Sequence, residues 1–140
     1  ASDLRPAILD DLGLTAAVEW YCEDFETRSG IRCQTDLEDV EPVQPTNKLN
    51  VFRLLQESLT NVARHAHAAE VSVHLTRQMN EITLEVVDDG VGIDEDLVAA
   101  NTSLGFMGMR ERVSQCQGRM TIARGKEKGT RVVITMLACT

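Results

Sequence analysis

Three groups of residues in this 140-residue chain have types and spacings that could do chemistry. The first, Asp88-Asp89-Gly90-Val91-Gly92, closes a segment in which Ile82, Leu84 and Val86 alternate with other residues. A carboxylate at the end of such a strand is held by rigid backbone, and two glycines let a ligand come close. That arrangement suits an amine edge, because a carboxylate accepts a hydrogen bond from an exocyclic NH₂ such as that of adenine. The same D-x-G-x-G also makes an ordinary acidic strand-to-loop turn. Asp88, Asp89, Asp94, Glu95 and Asp96 suggest a calcium loop too, but they lack the alternating ligands and twelfth-position Glu of an EF-hand.

The second group is Glu57, Asn61, Arg64 and His65, whose offsets of four, seven and eight put them on one face of one helix. An amide oxygen, a carboxylate and two potential cations converging there would supply a Mg²⁺ ligand, a water-orienting base and phosphate donors. A solvated face has the same pattern. The third group is Gly105-x-x-Gly108 ahead of a helical stretch, where flexible backbone and the positive end of a helix favour anionic oxygens.

The elements that must position these residues follow from periodicity. Ser2 and Asp3 are candidate caps and Pro6 suits a first turn before Ile8, Leu9, Leu12 and Leu14, with Gly13 as a weak point or break. A helix is predicted over Ala16 to Arg28, ended by Ser29-Gly30. Ile31 to Leu37 alternates as a strand, and the acidic, proline-bearing Glu38 to Pro45 is expected to be a surface loop. Thr46 or Asn47 then caps the best helix, with Val51, Leu55, Leu59, Val62, Ala63 and Ala66 on its apolar arc. Strands are expected at Glu70 to Thr76 and Glu81 to Val87, around Gln78-Met79-Asn80. After a polar stretch from Asp94 to Ser103, a helix from Met109 to Cys116 is stopped by Gly118. Strands at Met120 to Ala123 and Thr130 to Leu137 finish the chain, joined by a turn over Gly125 to Gly129.

Bulk properties narrow the function. Twenty-two acidic against fourteen basic side chains give a formal charge of −8, which repels nucleic acid and anionic membrane surfaces. A nucleotide would have to be held by local dipoles, backbone N–H groups, a metal ion and a few placed cations. Length and 43% hydrophobic content fit one compact domain. No apolar run approaches a membrane span, so any membrane attachment of a parent protein would lie outside this segment. Cys22, Cys33, Cys116 and Cys139 have no C-x-x-C or zinc-ligand spacing, and are expected to be reduced, mostly buried thiols. The start at Ala1-Ser2-Asp3, without Met, carries the expectation of a fragment.

In this order the groups resemble a family. Gln56-Glu-Ser-Leu-Thr-Asn61-Val-Ala-Arg-His-Ala66 resembles the N-box of the GHKL ATPase superfamily. Asp88-Asp-Gly-Val-Gly92 resembles its first glycine box and Gly105-Phe-Met-Gly-Met-Arg-Glu-Arg112 its second. The nearest form is the sensor histidine kinase subfamily typified by bacterial nitrate/nitrite sensors, whose partners are usually response regulators with a helix-turn-helix output domain. Leu4 to Leu14 resembles the segment leading from that subfamily's dimerisation helix into its ATP-binding domain.

The resemblance implies an α/β fold: a two-layer sandwich of a mixed sheet of about five strands with helices on one face, the Bergerat-type fold. It implies that Asn61 coordinates Mg²⁺, that Glu57 orients water or the metal's shell, and that Asp88 binds the adenine amine. Gly90 and Gly92 would shape the base pocket, Gly105 and Gly108 would hinge a lid, Arg64 and His65 would lie near the phosphate tail, and Thr130 would support the adenine side. Two departures from the pattern stand out. Glu127-Lys128-Gly129-Thr130 lacks the first glycine of the usual G-x-G-T, and the short stretch between Gly92 and Gly105 has no phenylalanine-bearing box, which suggests a small lid.

None of His65, His67 and His74 lies in the family's acceptor pattern, so the phosphoacceptor is expected upstream of residue 1. Residues 1–14 are then a connection from a dimerisation and phosphoacceptor domain, and residues 15–140 the ATP-binding catalytic domain. The expected function is transfer of the γ-phosphoryl group of MgATP to a histidine on that separate domain, by a monomeric, cytoplasmic fragment that meets the response regulator only indirectly. Two rivals are a GHKL serine kinase of an anti-sigma partner and a nucleotide-binding module without catalysis.

Overall fold

Period-two alternation builds the sheet. The computed structural model describes residues 7–91, 104–124 and 128–139, with the side chains of 65, 66 and 104–107 outside that description. The strands are β1 (Arg32–Leu37), β2 (Glu70–Gln78), β3 (Glu81–Asp88), β4 (Arg119–Arg124) and β5 (Thr130–Leu137), ordered β1-β2-β3-β5-β4. Among the described strands only β1 and β2 pair in parallel, so the sheet is mixed. Pairing of Val73 with Val86 and Leu75 with Leu84 puts the apolar sets on one face, as alternation of side chains requires. Val71, Val73 and Leu75, then Ile82, Leu84 and Val86, then Val132, Ile134 and Met136 are all buried there.

The helices cover that face: α1 (Ala7–Asp11), α2 (Leu14–Ser29), α3 (Pro45–Asn61), continued by a π turn (Val62–Ala66), and α4 (Leu104–Gln115). Phe52, Leu54, Leu55 and Leu59 of α3 are fully buried, so this helix is the spine of the helical layer. Each such side chain contributes about 1.5–3 kcal/mol on removal from water. Leu9 of α1 and Leu14 of α2 are equally buried, so the chain from residue 7 onward shares the same core. The two-layer sandwich expected from the sequence is the fold observed.

Several local expectations are corrected. Helix α2 begins at Leu14 rather than Ala16, because Gly13 turns with φ 93° and the Glu41 carboxylate accepts the Leu14 N–H at 2.8 Å, satisfying a donor that a helix start leaves open. Residues 38–44 are more than a surface loop. Val40 and Val43 are buried, and the Arg77 guanidinium donates to the carbonyls of Val40 and Pro42 at 2.6 Å each. Neither Thr46 nor Asn47 caps α3; it starts at Pro45, whose missing N–H costs nothing in a first turn. Asn47 is instead buried, its amide donating to Leu137 O at 2.8 Å across to β5.

Ala63 is exposed rather than on the apolar arc. The π turn closes rings of i→i+5, so the phase of an α-helical wheel does not carry past Asn61. The residue that turns the chain after α4 is Gln117, at φ 56°, and not Gly118. Glycine is needed at 118 for space, since a Cβ there would meet Val113 and Met136 at about 3.1–3.2 Å and crowd the Thr135 carbonyl.

Candidate functional site

The alternation that buries Ile82, Leu84 and Val86 puts Asp88, the next residue in the series, on the same face. A charged group is thereby carried to the end of the core, where it is only 6% exposed. On β5 the set Thr130, Val132, Ile134 and Met136 does the same, and Thr130 is 8% exposed. Val87 pairs with Arg131, so the next step of the antiparallel register sets Thr130 beside Asp88. The Thr130 N–H donates to the Asp88 carboxylate, and the Gly90 N–H donates to its Oδ1 at 2.8 Å. Gly129, at φ 85°, lies where any side chain would run into the Asp88 backbone. The G-x-G-T departure thus spares the glycine that the packing requires.

The adjacent carboxylate has a different task. Asp89 Oδ1 accepts the N–H groups of Ala69 at 2.9 Å and Glu70 at 3.0 Å, locking the start of β2 against the end of β3. Those backbone donors, with Lys128 nearby, hold the Asp89 carboxyl below its ordinary value. Burial pushes Asp88 the other way, up from its ordinary value, with Asp89 adding to the rise and the N–H groups of Gly90 and Thr130 opposing it. One acidic pair is thereby split into a structural group and a buried, accepting group.

The Asp88 shift has a signed consequence. Its folded-state pKa is raised, so stability from this site is fully present below the unfolded pKa and lost as pH rises through the folded one. On acidification from neutral pH, the stability of the unliganded chain relative to its Asp88→Asn variant should therefore increase. Urea denaturation of both across a pH series checks this; a difference that stays flat or moves the other way contradicts the placement of Asp88 in a desolvating environment.

Glu57 and Asn61 occupy successive turns of α3. Asn61 Nδ2 points to Met109 Sδ of α4 at 3.7 Å, which turns Oδ1 to the opposite side of the amide. Glu57 Oε1 lies 3.3 Å from Arg112 Nη2 of α4, and Arg112 Nη1 reaches Asn50 Oδ1 at 3.4 Å. Arg112 was legible only as part of a quoted run; its position two turns beyond Gly105 is the signal that it reaches back to α3. Arg64 is exposed in the π turn, and His65 shares that turn with its side chain outside the described residues. These two therefore follow a wider winding than Glu57 and Asn61. A π turn inside a helix is frequently a functional feature.

Gly105 and Gly108 lie inside α4, not ahead of it, and a Cβ at Gly108 would meet nothing within 4 Å. Gly92 and the expected lid over residues 94–103 lie outside the described residues. A cavity of about 500 Å³ lined by Pro45, Asn47, Asn50 and Cys116 sits at the opposite end of α3. Asn47 and Asn61 are separated by roughly 20 Å of helix at 1.5 Å per residue, so Asn61 lies far from the Asn47 end of this cavity.

Residues 46–138 match the family described as histidine kinase-, DNA gyrase B-, and HSP90-like ATPase. The chain is 35% identical over 137 residues to the sensor histidine kinase MctS of Rhizobium johnstonii, covering 96% of this chain and 30% of that protein. It is 34% identical to the signal transduction histidine-protein kinase/phosphatase DegS of Brevibacillus brevis, covering 96% of this chain and 35% of DegS. It therefore spans about a third of the length of these relatives. Among solved structures, the histidine kinase domain of the Erythrobacter litoralis EL346 blue-light activated histidine kinase superposes with a TM-score of 0.78 at 25% identity, over 89% of this chain and 61% of that one. The catalytic domain of the histidine kinase ThkA shares the fold, with a TM-score of 0.72 at 13% identity over 91% and 93% of the two chains. With its mixed sheet, helical layer and family match, this chain belongs to the histidine kinase-, DNA gyrase B- and HSP90-like ATPase family, as a histidine kinase ATPase domain.

Proposed function

We propose that this chain binds MgATP and, as the catalytic domain of a two-component sensor histidine kinase, delivers the γ-phosphoryl group to a histidine on a separate dimerisation domain. The observation that carries the reading is the buried Asp88 carboxylate, kept beside Gly90 and Thr130 at the end of the sheet. There Asp88 accepts from the adenine amine, Thr130 supports that edge, and Gly90 and Gly92 leave room for the ring. Arg64 and His65 lie toward the phosphates, and Gly105 and Gly108 let the first turns of α4 adjust to the nucleotide.

The residues fit a magnesium ion that leans on phosphate oxygens and water. Among the described residues no three His, Cys, Asp or Glu side chains are grouped to hold a metal, whereas Asn61 offers an amide oxygen. Such an ion would supply neutralisation of charge on the phosphates. Asn61 would contribute one ligand, and Glu57, steadied by Arg112, would orient water or the incoming group. Residues 1–14 serve as the connection from the dimerisation domain, and the response regulator is met indirectly, in the manner of nitrate/nitrite-type sensors. No helix among the described residues is long and apolar enough to cross a membrane; we place the domain in the cytoplasm.

Calorimetric titration of Asn61→Ala with ATP, with and without magnesium, tests the metal placement. Adenine binding should persist and the magnesium-dependent gain in affinity should vanish. A gain equal to that of the wild-type chain would move the metal site away from Asn61.

A further inference from the structure

One arginine is tied between two helices in a way that packing alone does not need. Met109 of α4 meets Asn61 of α3, Arg112 meets Glu57 and, through Nη1, Asn50, and the Asn50 amide donates onward to Cys116 Sγ at 2.7 Å, so the two helices run antiparallel. Met109 and Arg112 stand one turn apart on α4, as Glu57 and Asn61 do on α3, and one face of α4 therefore touches both site residues. The Arg112 and Glu57 side chains are each 34% exposed, whereas Arg28, Arg32, Arg119 and Arg131, the other described arginines in ion pairs, are 54 to 72% exposed. Pairs as exposed as those contribute little. Arg112 Nε is buried without a hydrogen-bond partner among the described residues. An unpaired buried donor opposes stability, and an apolar side chain would join two helices without that penalty. What Arg112 does to Glu57 explains its presence better than what it adds to the fold.

We propose that Arg112 is a positioning residue for phosphoryl transfer, fixing the Glu57 carboxylate from α4 so that it sets the rate of transfer and not the affinity for nucleotide. This role rests on the reading of Glu57 proposed above, and adds the residue through which α4 acts on it. In the transfer an imidazole nitrogen of the acceptor bonds to the γ-phosphorus and the bond to the bridging oxygen breaks, its electron pair leaving on ADP. A carboxylate takes the proton that the imidazole gives up, and for that it must be held within hydrogen-bond reach. A guanidinium holds a carboxylate by charge and by a planar fork of donors. One terminal nitrogen of Arg112 meets Glu57 and the other meets Asn50, so the fork is braced from its far side and cannot swing without losing Asn50. Gly105 and Gly108 lie in the turns of α4 that precede Arg112, and a shift of α4 on α3 reaches Glu57 through this one side chain.

The test is single-turnover transfer from saturating radiolabelled MgATP to the cognate dimerisation domain, added as a second polypeptide, with MgATP affinity measured calorimetrically for each variant. Arg112→Met keeps a long apolar stem and removes the charge. Transfer should fall about tenfold to a hundredfold, as a misplaced base implies, while affinity stays at the wild-type value. Arg112→Lys, which keeps the charge without the fork, should recover part of that loss. In a Glu57→Gln background Arg112→Met should cost nothing further, because the two residues act as one unit. If Arg112→Met does not fold, Arg112→Lys takes its place in the same comparison. A folded variant that transfers at the wild-type rate, that loses affinity in proportion to rate, or that is as damaging beside Glu57→Gln as without it would overturn the positioning role. Failure of the underlying reading looks different: the wild-type chain would bind no MgATP, or Glu57→Gln would transfer as fast as the wild type, and either result would remove the ground of the proposal too.

Discussion

Incubated with radiolabelled ATP and a cognate dimerisation domain supplied as a second polypeptide, the chain is expected to label that domain slowly and itself not at all. In-line transfer needs the acceptor nitrogen held near the γ-phosphate, and losing that positioning forfeits on the order of 7–11 kcal/mol of barrier reduction. None of the three histidines offers it. His74 is on β2, with Nδ1 3.7 Å from Asp36 Oδ2, and His67 ends the π turn at φ 51°. His65 lies in the π turn proposed to be directed toward the phosphates. Acid-labile label should therefore appear on the added domain only, read by gel autoradiography before and after acid treatment. Acid-labile label on this chain at His65, His67 or His74 would place the acceptor within the 140 residues and contradict the proposed division of labour.

Gly129→Ala is expected to damage both stability and nucleotide binding. A Cβ at this position would overlap the Asp88 carbonyl oxygen, lie 2.7 Å from its carbon and 3.1 Å from Asp89 Cα, all backbone atoms that cannot rotate away. The φ of 85° adds strain for any side chain, typically about 1–3 kcal/mol. Relief requires β3 and β5 to separate where Thr130 donates to Asp88, so the group proposed to hold adenine moves as well. Gly108→Ala is the control, because nothing lies within 4 Å of its added carbon. Urea denaturation and ATP titration should show Gly129→Ala impaired in both and Gly108→Ala stable; a Gly129→Ala chain with wild-type stability and affinity would refute the close approach.

The sequence made legible what is periodic and local. Alternation located β2, β3 and β5 to within a residue or two, and the same alternation, extended one step, put Asp88 on the buried face. The apolar spacing of Val51, Leu55 and Leu59 located α3. Features set by long-range partners could not be read. Glu41 completing the start of α2, Asn47 turning from a cap into a tie to β5, and Arg112 pairing with Glu57 each depend on residues far away in sequence. The π turn escaped because a helical wheel presumes one winding throughout, which is why Ala63 was placed inside and is found outside. Gly129 looked like the remnant of an incomplete motif, and only the proximity of Asp88 shows why that glycine is the one retained.

The central claim is that the buried Asp88 carboxylate receives the base of a nucleotide. The most direct measurement is a calorimetric titration of MgATP into the wild-type chain and into folded Asp88→Asn. The substitution replaces a charge-assisted acceptor by an amide and should cost about 1.5–3 kcal/mol, roughly a ten- to hundredfold loss of affinity, with far-ultraviolet circular dichroism unchanged. An Asp88→Asn chain that is folded and binds MgATP as tightly as the wild type would contradict the account and place the adenine pocket elsewhere.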